Sequence, residues 1–327
     1  MKAVRFTGEG ALSSIRVENL PDPLRAEPGR VVVRVMASSL NHMDLYSMSR
    51  GDGLAIPGSD GAGVVEYAGA GVTDFVPGDE VIINPNIGEP DEDNYTILGS
   101  GANGTHAEFI SLPSRNLLKK PSSLSFEEAA ALPLCLMTAW RQVVVKGAAR
   151  PGEWVLIHGA GGGVSVYAMQ IAALCGASVI VTSGDEAKLG KAALLGATHT
   201  LNHRHTDIVA EVADITGGHG ADVVIDNVGA ETFPTSLAVA ATGGRIVMSG
   251  NVSSEQVSFH PAPLYWKGVT VMGSLMGRTE ELEKALALAA EGKIRPVIDS
   301  VFDLSDYRMA MERMVENRHF GKIIIGR

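Results

Sequence analysis

The segment Leu156–Lys188, LIHGAGGGVSVYAMQIAALCGASVIVTSGDEAK, places a group of glycines between an apolar strand pattern and a helical pattern. A second apolar strand pattern follows the helix. Glycines let the backbone approach a phosphate closely, and a helix N-terminus offers unpaired N–H groups and a partial positive charge. The order strand, glycine loop, helix and strand therefore predicts a unit that holds the pyrophosphate of a dinucleotide.

The spacing of the glycines departs from the strict G-x-G-x-x-G pattern, because Val164 occupies the third glycine position. The frame Gly159-x-x-Gly162-x-x-Ser165 fits instead and places a small residue at each required position. A tight turn without a ligand is the alternative interpretation. We expect cofactor contacts from Gly159, Gly162, Gly163 and Val164.

The pattern around this segment alternates apolar strands with helices. Strands are predicted at Trp154–His158, Ser178–Ser183, Asp222–Asn227, Arg245–Ser249 and Val269–Gly273. Helices are predicted at Val164–Cys175, Asp185–Leu195, Thr206–Thr216 and Glu231–Ala241. Strands that are apolar throughout and separated by helices indicate a parallel sheet covered on both faces, in the doubly wound α/β fold of nucleotide-binding domains.

Residues 1–123 show a different pattern of short β runs and turns. Strand-like stretches are RVVVRVMASS (Arg30–Ser39), GAGVVEYAGA (Gly61–Ala70) and DEVIINP (Asp79–Pro85). Proline–glycine pairs indicate turns, so this region is predicted to form an antiparallel β-rich domain. The C-terminal segment contains a helical pattern after Gly277 and a final strand, FGKIIIGR. It either forms a separate cap or completes the first domain.

Composition and charge exclude several classes of protein. Of the 327 residues 45% are hydrophobic and 20% charged, so a packed core is expected. The formal net charge of −10 and the lack of a Lys/Arg block argue against a nucleic-acid partner. Neither a signal peptide nor a membrane-spanning run is present in the sequence, which favours a cytoplasmic protein. The two cysteines, Cys135 and Cys175, are too few for a disulfide framework or a four-cysteine zinc site.

The end of the second strand bears on the choice between NAD(H) and NADP(H). In NAD-selective sites an acidic residue there accepts hydrogen bonds from the ribose 2′-hydroxyl. The strand ends instead in Ser183, and Lys188 follows in the next helix. Further donors, including His203, lie in NHRH (Asn202–His205). This arrangement favours NADP(H). In the alternative, NAD(H) binds, Lys188 is a solvated helix residue and Asp185 only caps the helix.

Over its whole length the chain resembles the medium-chain dehydrogenase/reductase superfamily. The matching stretches, in the family's order, are NHMD (Asn41–Asp44), PGSDGAGVV (Pro57–Val65), VPGDEV (Val76–Val81), GTHAEF (Gly104–Phe109), SFEEAAALPLCLMTAW (Ser125–Trp140), the glycine segment and DNVG (Asp226–Gly229). The resemblance implies a GroES-like β-rich catalytic domain formed by residues 1–123 and 275–327. It also implies a Rossmann cofactor domain formed by residues 124–274, with the cofactor cleft between the two.

The zinc alcohol dehydrogenases of this superfamily bind a catalytic zinc through two cysteines and a histidine–glutamate pair. The residues at the matching positions are Asn41, Ser59, Asp60 and Leu134, with Cys135 adjacent to the last. Zinc requires three or four nitrogen, sulfur or oxygen donors in a tetrahedron, which this set does not supply. The segment between Val81 and Gly104 also lacks the cysteines of the structural-zinc lobe. We therefore expect no zinc, and we expect the acidic stretch EPDED in this segment to be a solvated loop.

The same resemblance assigns residues to a reaction. Quinone oxidoreductases without zinc carry an asparagine at the position of Asn41, whose amide is expected to donate to the substrate oxygen. Tyr46 matches that branch too, and its hydroxyl is expected to bind the substrate or relay a proton, while Asp44 orients Asn41. The alternatives are that Asn41 only caps a helix beginning at His42 and that Tyr46 is a packed aromatic with its hydroxyl at solvent. Further cofactor contacts are expected from Thr138, beside the nicotinamide, and from Asn227, Val228, Gly250, Asn251, Ser274 and Leu275.

These residues lead to three functional hypotheses. The first is a zinc-independent, NADPH-dependent oxidoreductase that transfers hydride to a quinone, an enone or a related carbonyl. Such acceptors spread the developing negative charge, so neutral donors suffice. The second is a metal-dependent alcohol dehydrogenase that uses Asp60 and Cys135, its ligand set completed by His42 or His106. The third is a non-catalytic NADPH-binding structural or sensor protein.

The last strand of the predicted parallel sheet bears on the partners. The stretch GVTVMGSLMG (Gly268–Gly277) is apolar. An exposed apolar edge strand is unfavourable unless it is paired, and relatives in the superfamily pair this edge across a twofold axis. A homodimer is therefore expected. The only other expected partner is a small-molecule carbonyl substrate, with no nucleic acid and no membrane.

Overall fold

A computed structural model of the protein describes residues 1–7, 10–23, 27–50, 56–250, 252 and 256–326. The chain divides into two compact units. The first contains Met1–Leu134 and Arg278–Arg327, and the second contains Cys135–Gly277. The C-terminal segment thus belongs to the same unit as the N-terminal region. Among the described residues, no helix combines the length and the apolar character that crossing a lipid bilayer requires.

The strands are numbered along the chain. Those before the second unit are β1 (Lys2–Phe6), β2 (Ile15–Asn19), β3 (Arg30–Ser39), β4 (Asp60–Ala68), β5 (Glu80–Ile83), β6 (Asn86–Ile87), β7 (Thr96–Ile97), β8 (Phe109–Pro113) and β9 (Leu117–Lys119). Those of the second unit are β10 (Trp154–His158), β11 (Ser178–Ser183), β12 (His199–Asn202), β13 (Ala221–Ile225), β14 (Ala240–Met248) and β15 (Thr270–Gly273). The C-terminal segment adds β16 (Ile298–Asp303) and β17 (Lys322–Gly326).

The α-helices are numbered in the same way. They are α1 (His42–Arg50), α2 (Phe126–Ala130), α3 (Pro133–Trp140), α4 (Gly163–Leu174), α5 (Glu186–Ala193), α6 (Ile208–Ile215), α7 (Phe233–Val239), α8 (Ala262–Trp266), α9 (Thr279–Ala290) and α10 (Tyr307–Val315). A π-helical segment, Arg141–Lys146, continues directly from α3.

The first unit is built on a seven-stranded sheet in the order β16-β17-β3-β4-β5-β9, with β8 also paired to β3. The long strand β3 organises it, since β3 pairs antiparallel with β4, β8 and β17. On one face Val31, Val33 and Val35 are buried in a cluster with apolar residues of the neighbouring strands. The C-terminal strand β17 therefore completes the sheet of the first unit and does not form a separate cap.

The second unit contains a parallel six-stranded sheet in the order β12-β11-β10-β13-β14-β15. Val155, Leu156 and Ile157 of β10 have no exposed surface, as expected for a strand covered on both faces. Strands β10 and β11 have the predicted bounds. The predicted doubly wound parallel sheet is confirmed.

Two predicted elements near the edges of the second unit differ in the structure. Helix α7 ends at Val239, whereas the predicted helix continued to Ala241. Ala240 instead begins β14 by pairing with Ala221, because a register shift lets this strand start before the predicted strand. Helix α2, which the sequence assigned to the cofactor domain, belongs to the first unit and contacts β3 and β4.

Candidate functional site

Three neighbouring strands of the first unit bring a polar cluster together. Asn41 lies between β3 and α1, Asp60 is the first residue of β4, and Lys322 is the first residue of β17. Strand pairing sets their proximity, since Ser39 lies opposite both Asp60 and Ile324. Asn41 and Asp60 are residues that the sequence singled out, whereas Lys322 was not.

The ammonium of Lys322 is buried, with the residue only 2% exposed. Its Nζ atom donates to Leu40 O at 2.7 Å, to Asn41 Oδ1 and to Asp60 Oδ2 at 3.1 Å. Asp60 is fully buried and carries the balancing negative charge. Such a pair is stable only when hydrogen bonds satisfy both partners, and here the surrounding residues supply them.

The ammonium also fixes the orientation of the Asn41 amide. A lysine can only donate, so the amide oxygen must face it and the amide nitrogen must point away. Asn41 Nδ2 donates to Asp60 Oδ2 at 2.9 Å and to Ser59 Oγ at 3.4 Å. The predicted donation from Asn41 to a substrate thus competes with two internal acceptors, and the contact with Ser59 is the longer of the two. That donation stays a prediction.

The carboxylate of Asp60 has acceptor contacts on both oxygens. Besides Lys322 and Asn41, it accepts from Leu134 N at 2.7 Å and from Ser39 Oγ at 3.1 Å. The positions matching zinc ligands therefore supply an amide, a hydroxyl and a carboxylate that already neutralises an ammonium. This set does not fit a zinc centre, which needs three or four available donors. Among the described residues, no group of three or more His, Cys, Asp or Glu is placed to hold a metal ion.

Asp44, predicted to orient Asn41, holds the backbone on both sides of the cluster. Its Oδ2 atom accepts from Asn41 N at 2.8 Å, and its Oδ1 atom accepts from Gly58 N at 2.9 Å. Asp44 N in turn donates to Asn41 O, as in the first turn of a capped helix. Asp44 is 1% exposed. Its predicted function in orienting Asn41 stays a prediction.

The two histidines of the metal-dependent hypothesis have different surroundings. His106 is fully buried, with Nδ1 2.9 Å from Ser38 Oγ, Nε2 3.5 Å from Asp44 Oδ2, and its ring against Tyr307. Burial, followed by the negative charge of Asp44, raises the pKa of Tyr307 well above its usual range. His42 retains exposed atoms, yet desolvation and the nearby charge of Lys322 lower its pKa, against an opposing effect of Asp44.

Tyr46 is 44% exposed on α1, which fits both a residue that meets a substrate and a packed aromatic with its hydroxyl at solvent. Its predicted catalytic function stays a prediction.

The acidic stretch EPDED contacts the N-terminus of α9. Glu89 accepts from Thr279 Oγ1 at 2.7 Å and from Thr279 N at 3.3 Å. Asp91 pairs with Arg278. Negative charge at a helix N-terminus is favourable, so these carboxylates attach the loop to the helix. Glu89 is half-buried and so departs from the expected solvated loop, whereas Asp91 stays exposed, as expected.

The glycine loop of the second unit has the geometry of an anion site. Gly159 directly follows β10 with a φ of 80°, a conformation that favours glycine. Gly162 is the N-cap of α4 and makes no side-chain cap bond, and Gly163 and Val164 open the helix. The N–H groups of a first turn have no acceptor within the helix. They are therefore suited to a phosphate.

His158, at the end of β10, has an incomplete set of hydrogen bonds. Its Nδ1 atom lies 3.2 Å from Thr182 Oγ1, but Nε2 is buried and meets no acceptor or donor among the described residues. Burial lowers the pKa of His158 to about 4, opposed by Asp226 and reinforced by His203. An orphaned buried nitrogen next to the glycine loop is consistent with a site that a dinucleotide completes.

Near the end of β11, the structure shows what Asp185 and Lys188 contact and how far each is exposed. Asp185 is the N-cap of α5 and accepts from Ala187 N at 2.8 Å and from Lys188 N at 3.2 Å. Ser183 Oγ accepts from Asp185 N at 3.1 Å. Lys188 is only 7% exposed, so the alternative of a solvated lysine is wrong.

Two further hydrogen-bond donors, the cationic Arg204 and the imidazole of His203, lie over Gly184. A Cβ atom added at Gly184 would lie 2.7 Å from Arg204 Nε and 2.9 Å from His203 Nε2. Both side chains are exposed and hence accessible to a ligand. Desolvation, then the charge of Arg204, lowers the pKa of His203, while Glu231 opposes them. Arg204 entered the sequence analysis only as part of NHRH, because an arginine in a polar stretch has no distinctive pattern.

Most of the predicted cofactor residues lie at one edge of the parallel sheet. They follow or end its strands at their carboxyl ends, as ligands of doubly wound folds require. The residues concerned are Gly159 after β10, Ser183 at the end of β11, His203 after β12, Asn227 and Val228 after β13, Gly250 after β14, and Ser274 and Leu275 after β15. Thr138 is buried in α3, away from the strand ends in sequence. Asn251 lies outside the described residues.

Comparisons with known proteins agree with this geometry. The model of the zinc-binding dehydrogenase family matches residues 163–291, and the model of the alcohol dehydrogenase GroES-like domain matches residues 27–122. A zinc-type alcohol dehydrogenase-like protein of Schizosaccharomyces pombe is 34% identical over 99% of this chain and 99% of its own. The chain belongs to the medium-chain dehydrogenase/reductase superfamily. The predicted resemblance and its GroES-like and Rossmann domain types are thereby confirmed, and the protein is an oxidoreductase of this nucleotide-binding family.

Members of this superfamily with different names are similar to the chain. A crotonyl-CoA reductase of Streptomyces avermitilis is 31% identical over 95% of this chain and 81% of its own. A crystal structure of an NAD-dependent alcohol dehydrogenase has a TM-score of 0.95 at 40% identity, with both chains fully covered. A quinone oxidoreductase of Pseudomonas syringae pv. tomato has a TM-score of 0.87 at 31% identity, covering 100% of this chain and 99% of its own. Because these names imply different substrates, the substrate class has to be argued from the residues of the site.

Proposed function

We propose that the protein is a zinc-independent, NADPH-dependent oxidoreductase that transfers hydride to a quinone, an enone or a related conjugated carbonyl. The observation that carries the proposal is the buried ammonium of Lys322, bonded to Asp60 and Asn41. Two of the positions expected to hold zinc ligands are thus occupied by partners of a lysine. A divalent ion beside this ammonium would meet like-charge repulsion in a site shielded from water.

The substrate oxygen becomes negative as hydride adds, and uncharged donors are sufficient when conjugation spreads that charge. Asn41 and Tyr46 are the proposed donors. Lys322 holds the amide oxygen of Asn41, so both amide hydrogens point away from the ammonium. The hydrogen directed at Ser59 over 3.4 Å makes the weaker contact, and it is the one proposed to bind the substrate.

The proposed cofactor is NADPH, which supplies the hydride when bound. Backbone N–H groups at the start of α4 are proposed to hold its pyrophosphate. Lys188, His203 and Arg204 favour the 2′-phosphate, because no carboxylate ends β11 and the carboxylate of Asp185 is used in capping α5. NAD(H) is the alternative, and one similar structure is that of an NAD-dependent enzyme.

We also propose a homodimer that pairs the edge strand β15. This strand and the helix before it expose apolar side chains, with Trp266 78%, Tyr265 66% and Val271 40% exposed. Pairing two such edges removes apolar surface from water and satisfies the unpaired backbone groups of the strand. Sedimentation that shows a monomer at micromolar concentration would refute the dimer.

The decisive experiment measures NADPH oxidation by metal-stripped protein. The acceptors are a quinone, an α,β-unsaturated aldehyde, a saturated aldehyde and, in the reverse direction with NADP⁺, a simple alcohol. We expect turnover of the first two without added metal. Asn41→Leu should lower kcat by about a hundredfold, as the loss of a donor to a developing oxyanion does, while NADPH affinity is kept.

Other outcomes identify the alternatives. Stoichiometric zinc whose removal abolishes activity would support the metal-dependent alcohol dehydrogenase. Tight NADPH binding without turnover of any acceptor would support the non-catalytic binding protein. Binding of NADH at least tenfold tighter than NADPH would reverse the assigned cofactor.

A further inference from the structure

A π-helical turn follows α3 in the second unit. Arg141–Lys146 adopts this rare form, which often marks functional sites. Gln142, its second residue, has no exposed surface although it carries a polar amide. A buried amide must be matched by partners, and the partner of Gln142 lies far away in the chain.

Gln142 and Asn227 form a reciprocal pair of amides. Gln142 Nε2 donates to Asn227 Oδ1 at 2.6 Å, and Asn227 Nδ2 donates to Gln142 Oε1 at 3.2 Å. Ser249 adds its backbone N–H at 3.2 Å and its hydroxyl at 3.1 Å, both toward Asn227 Oδ1. A backbone N–H can only donate, so the atom facing Ser249 is the oxygen and the orientation of the Asn227 amide is fixed.

This arrangement leaves one hydrogen of Asn227 Nδ2 available. Gln142 uses the other hydrogen, and the part of the chain that the structure describes offers no second acceptor. Asn227 follows β13 and Ser249 follows β14, so the available hydrogen lies at the carboxyl edge of the sheet. Ligands of a doubly wound sheet bind at this edge.

The strand order indicates which half of the cofactor lies there. The pyrophosphate is proposed at α4, after β10, and the 2′-phosphate at the end of β11 on one side of it. Strands β13 and β14 lie on the other side of β10. The half of the dinucleotide that carries the nicotinamide therefore belongs at the ends of β13 and β14.

We infer that Gln142 is a positioning residue for the nicotinamide half of the cofactor, acting through Asn227. By holding both ends of the Asn227 amide, Gln142 directs the available Nδ2 hydrogen toward an acceptor oxygen on the nicotinamide or its ribose. The inference rests on the proposed cofactor. In Gln142→Met both amide contacts are lost at nearly constant volume, so Asn227 keeps Ser249 but loses the acceptor that held its nitrogen.

The test compares two ligands by equilibrium titration. NADPH contains both halves, whereas 2′,5′-ADP contains only the adenosine half with its 2′-phosphate. Gln142→Met should weaken NADPH about tenfold, the equivalent of one well-placed hydrogen bond, and leave 2′,5′-ADP unchanged. A merely structural effect would weaken both ligands alike. Equal NADPH affinity in the variant and the natural protein would overturn the inference.

Two controls separate positioning from packing. Gln170→Met removes another buried glutamine of the second unit, whose Nε2 atom donates to Val166 O, and it should leave the affinities for both ligands unchanged. Asn227→Leu combined with Gln142→Met should be no weaker for NADPH than Asn227→Leu alone, because Gln142 acts through that residue. An additional tenfold loss in the double variant would contradict the inference.

A variant that fails to fold does not end the test. Ser249→Ala removes one donor to the same Asn227 oxygen at a half-buried position, and it should weaken NADPH about threefold without affecting 2′,5′-ADP. An unchanged NADPH affinity would again count against the inference. If the natural protein binds neither NADPH nor NADH, the proposed function fails and the inference about Gln142 fails with it, whereas a natural protein that binds NADPH tests Gln142 alone. If it binds NADH instead, the same comparison is made with NADH and ADP.

Discussion

The two polar regions of this protein differ in how completely they satisfy themselves. In the first unit, Lys322, Asp60 and Asn41 use one another as donors and acceptors. At the glycine loop of the second unit, His158 Nε2 has no partner among the described residues, and the N–H groups of the first turn of α4 have no acceptor within the helix. The proposed function rests on this difference, with the cofactor at the glycine loop and neutral donors at the Lys322 cluster.

The largest effect should come from breaking the Lys322 cluster. Lys322→Met leaves Asp60 as a buried carboxylate without a counter-charge, which should lower the free energy of unfolding by about 3 to 5 kcal/mol. Urea denaturation followed by circular dichroism measures this change. The double variant Lys322→Met with Asp60→Asn removes both charges and should recover most of the loss. A single variant as stable as the natural protein would show that the pair does not hold the cluster together.

The region around the glycine loop should make the stability of the protein depend on pH. The pKa of His158 is about 4 in the folded protein and 6.5 ordinarily. Between these values the unfolded chain binds a proton that the folded chain does not, so stability falls as pH decreases from 6.5 toward 4. The melting temperature of His158→Gln, measured across this pH range, should lack this part of the decrease. His205→Gln, at an exposed histidine, should keep it.

The glycine-loop region could be predicted from the sequence far better than the Lys322 cluster. The glycine loop lies between adjacent elements, so its order of strand, loop and helix predicted the phosphate site. The alternation of strands and helices around it predicted the parallel sheet, and the family resemblance supplied the later residues at the carboxyl edge. Lys322 and Asn41 are 281 positions apart, and only the pairing of β17 with β3 joins them. The available signal was a lysine at the start of an otherwise apolar strand, KIIIG.

Other features depended on contacts that no local pattern encodes. The Gln142 amide lies in a π-helical turn, which has no sequence periodicity of its own. A polar residue inside the apolar run from Leu132 was the only available sign. The burial of Lys188 was likewise hidden, because a lysine in the first turn of a helix is usually solvated.

The next prediction concerns the preference of the glycine-loop region for NADPH over NADH. Arg204→Ala removes an exposed guanidinium over Gly184 and should weaken NADPH about tenfold through the loss of a charge-assisted contact to phosphate. NADH affinity should change less than twofold, about the error of such a titration, because NADH lacks that phosphate. Lys191→Ala, at an exposed lysine of α5, serves as the control. Equal losses for both cofactors would place Arg204 outside the 2′-phosphate site.

The smallest expected effect concerns a second set of paired polar groups in the first unit, at the start of α9. Glu89 accepts from the backbone and the hydroxyl of Thr279 at the start of α9, as a capping side chain does. Glu89→Gln keeps the shape but weakens the acceptor, so it should cost about 0.5 to 1 kcal/mol in urea denaturation. Asp93→Asn in the same loop removes an equal charge at an exposed position and should cost less. Equal losses in Glu89→Gln and Asp93→Asn would mean that net charge, and not the contact with α9, sets the stability of the loop. The paired polar groups that stabilise the first unit would then be only those of the Lys322 cluster among the two sets compared.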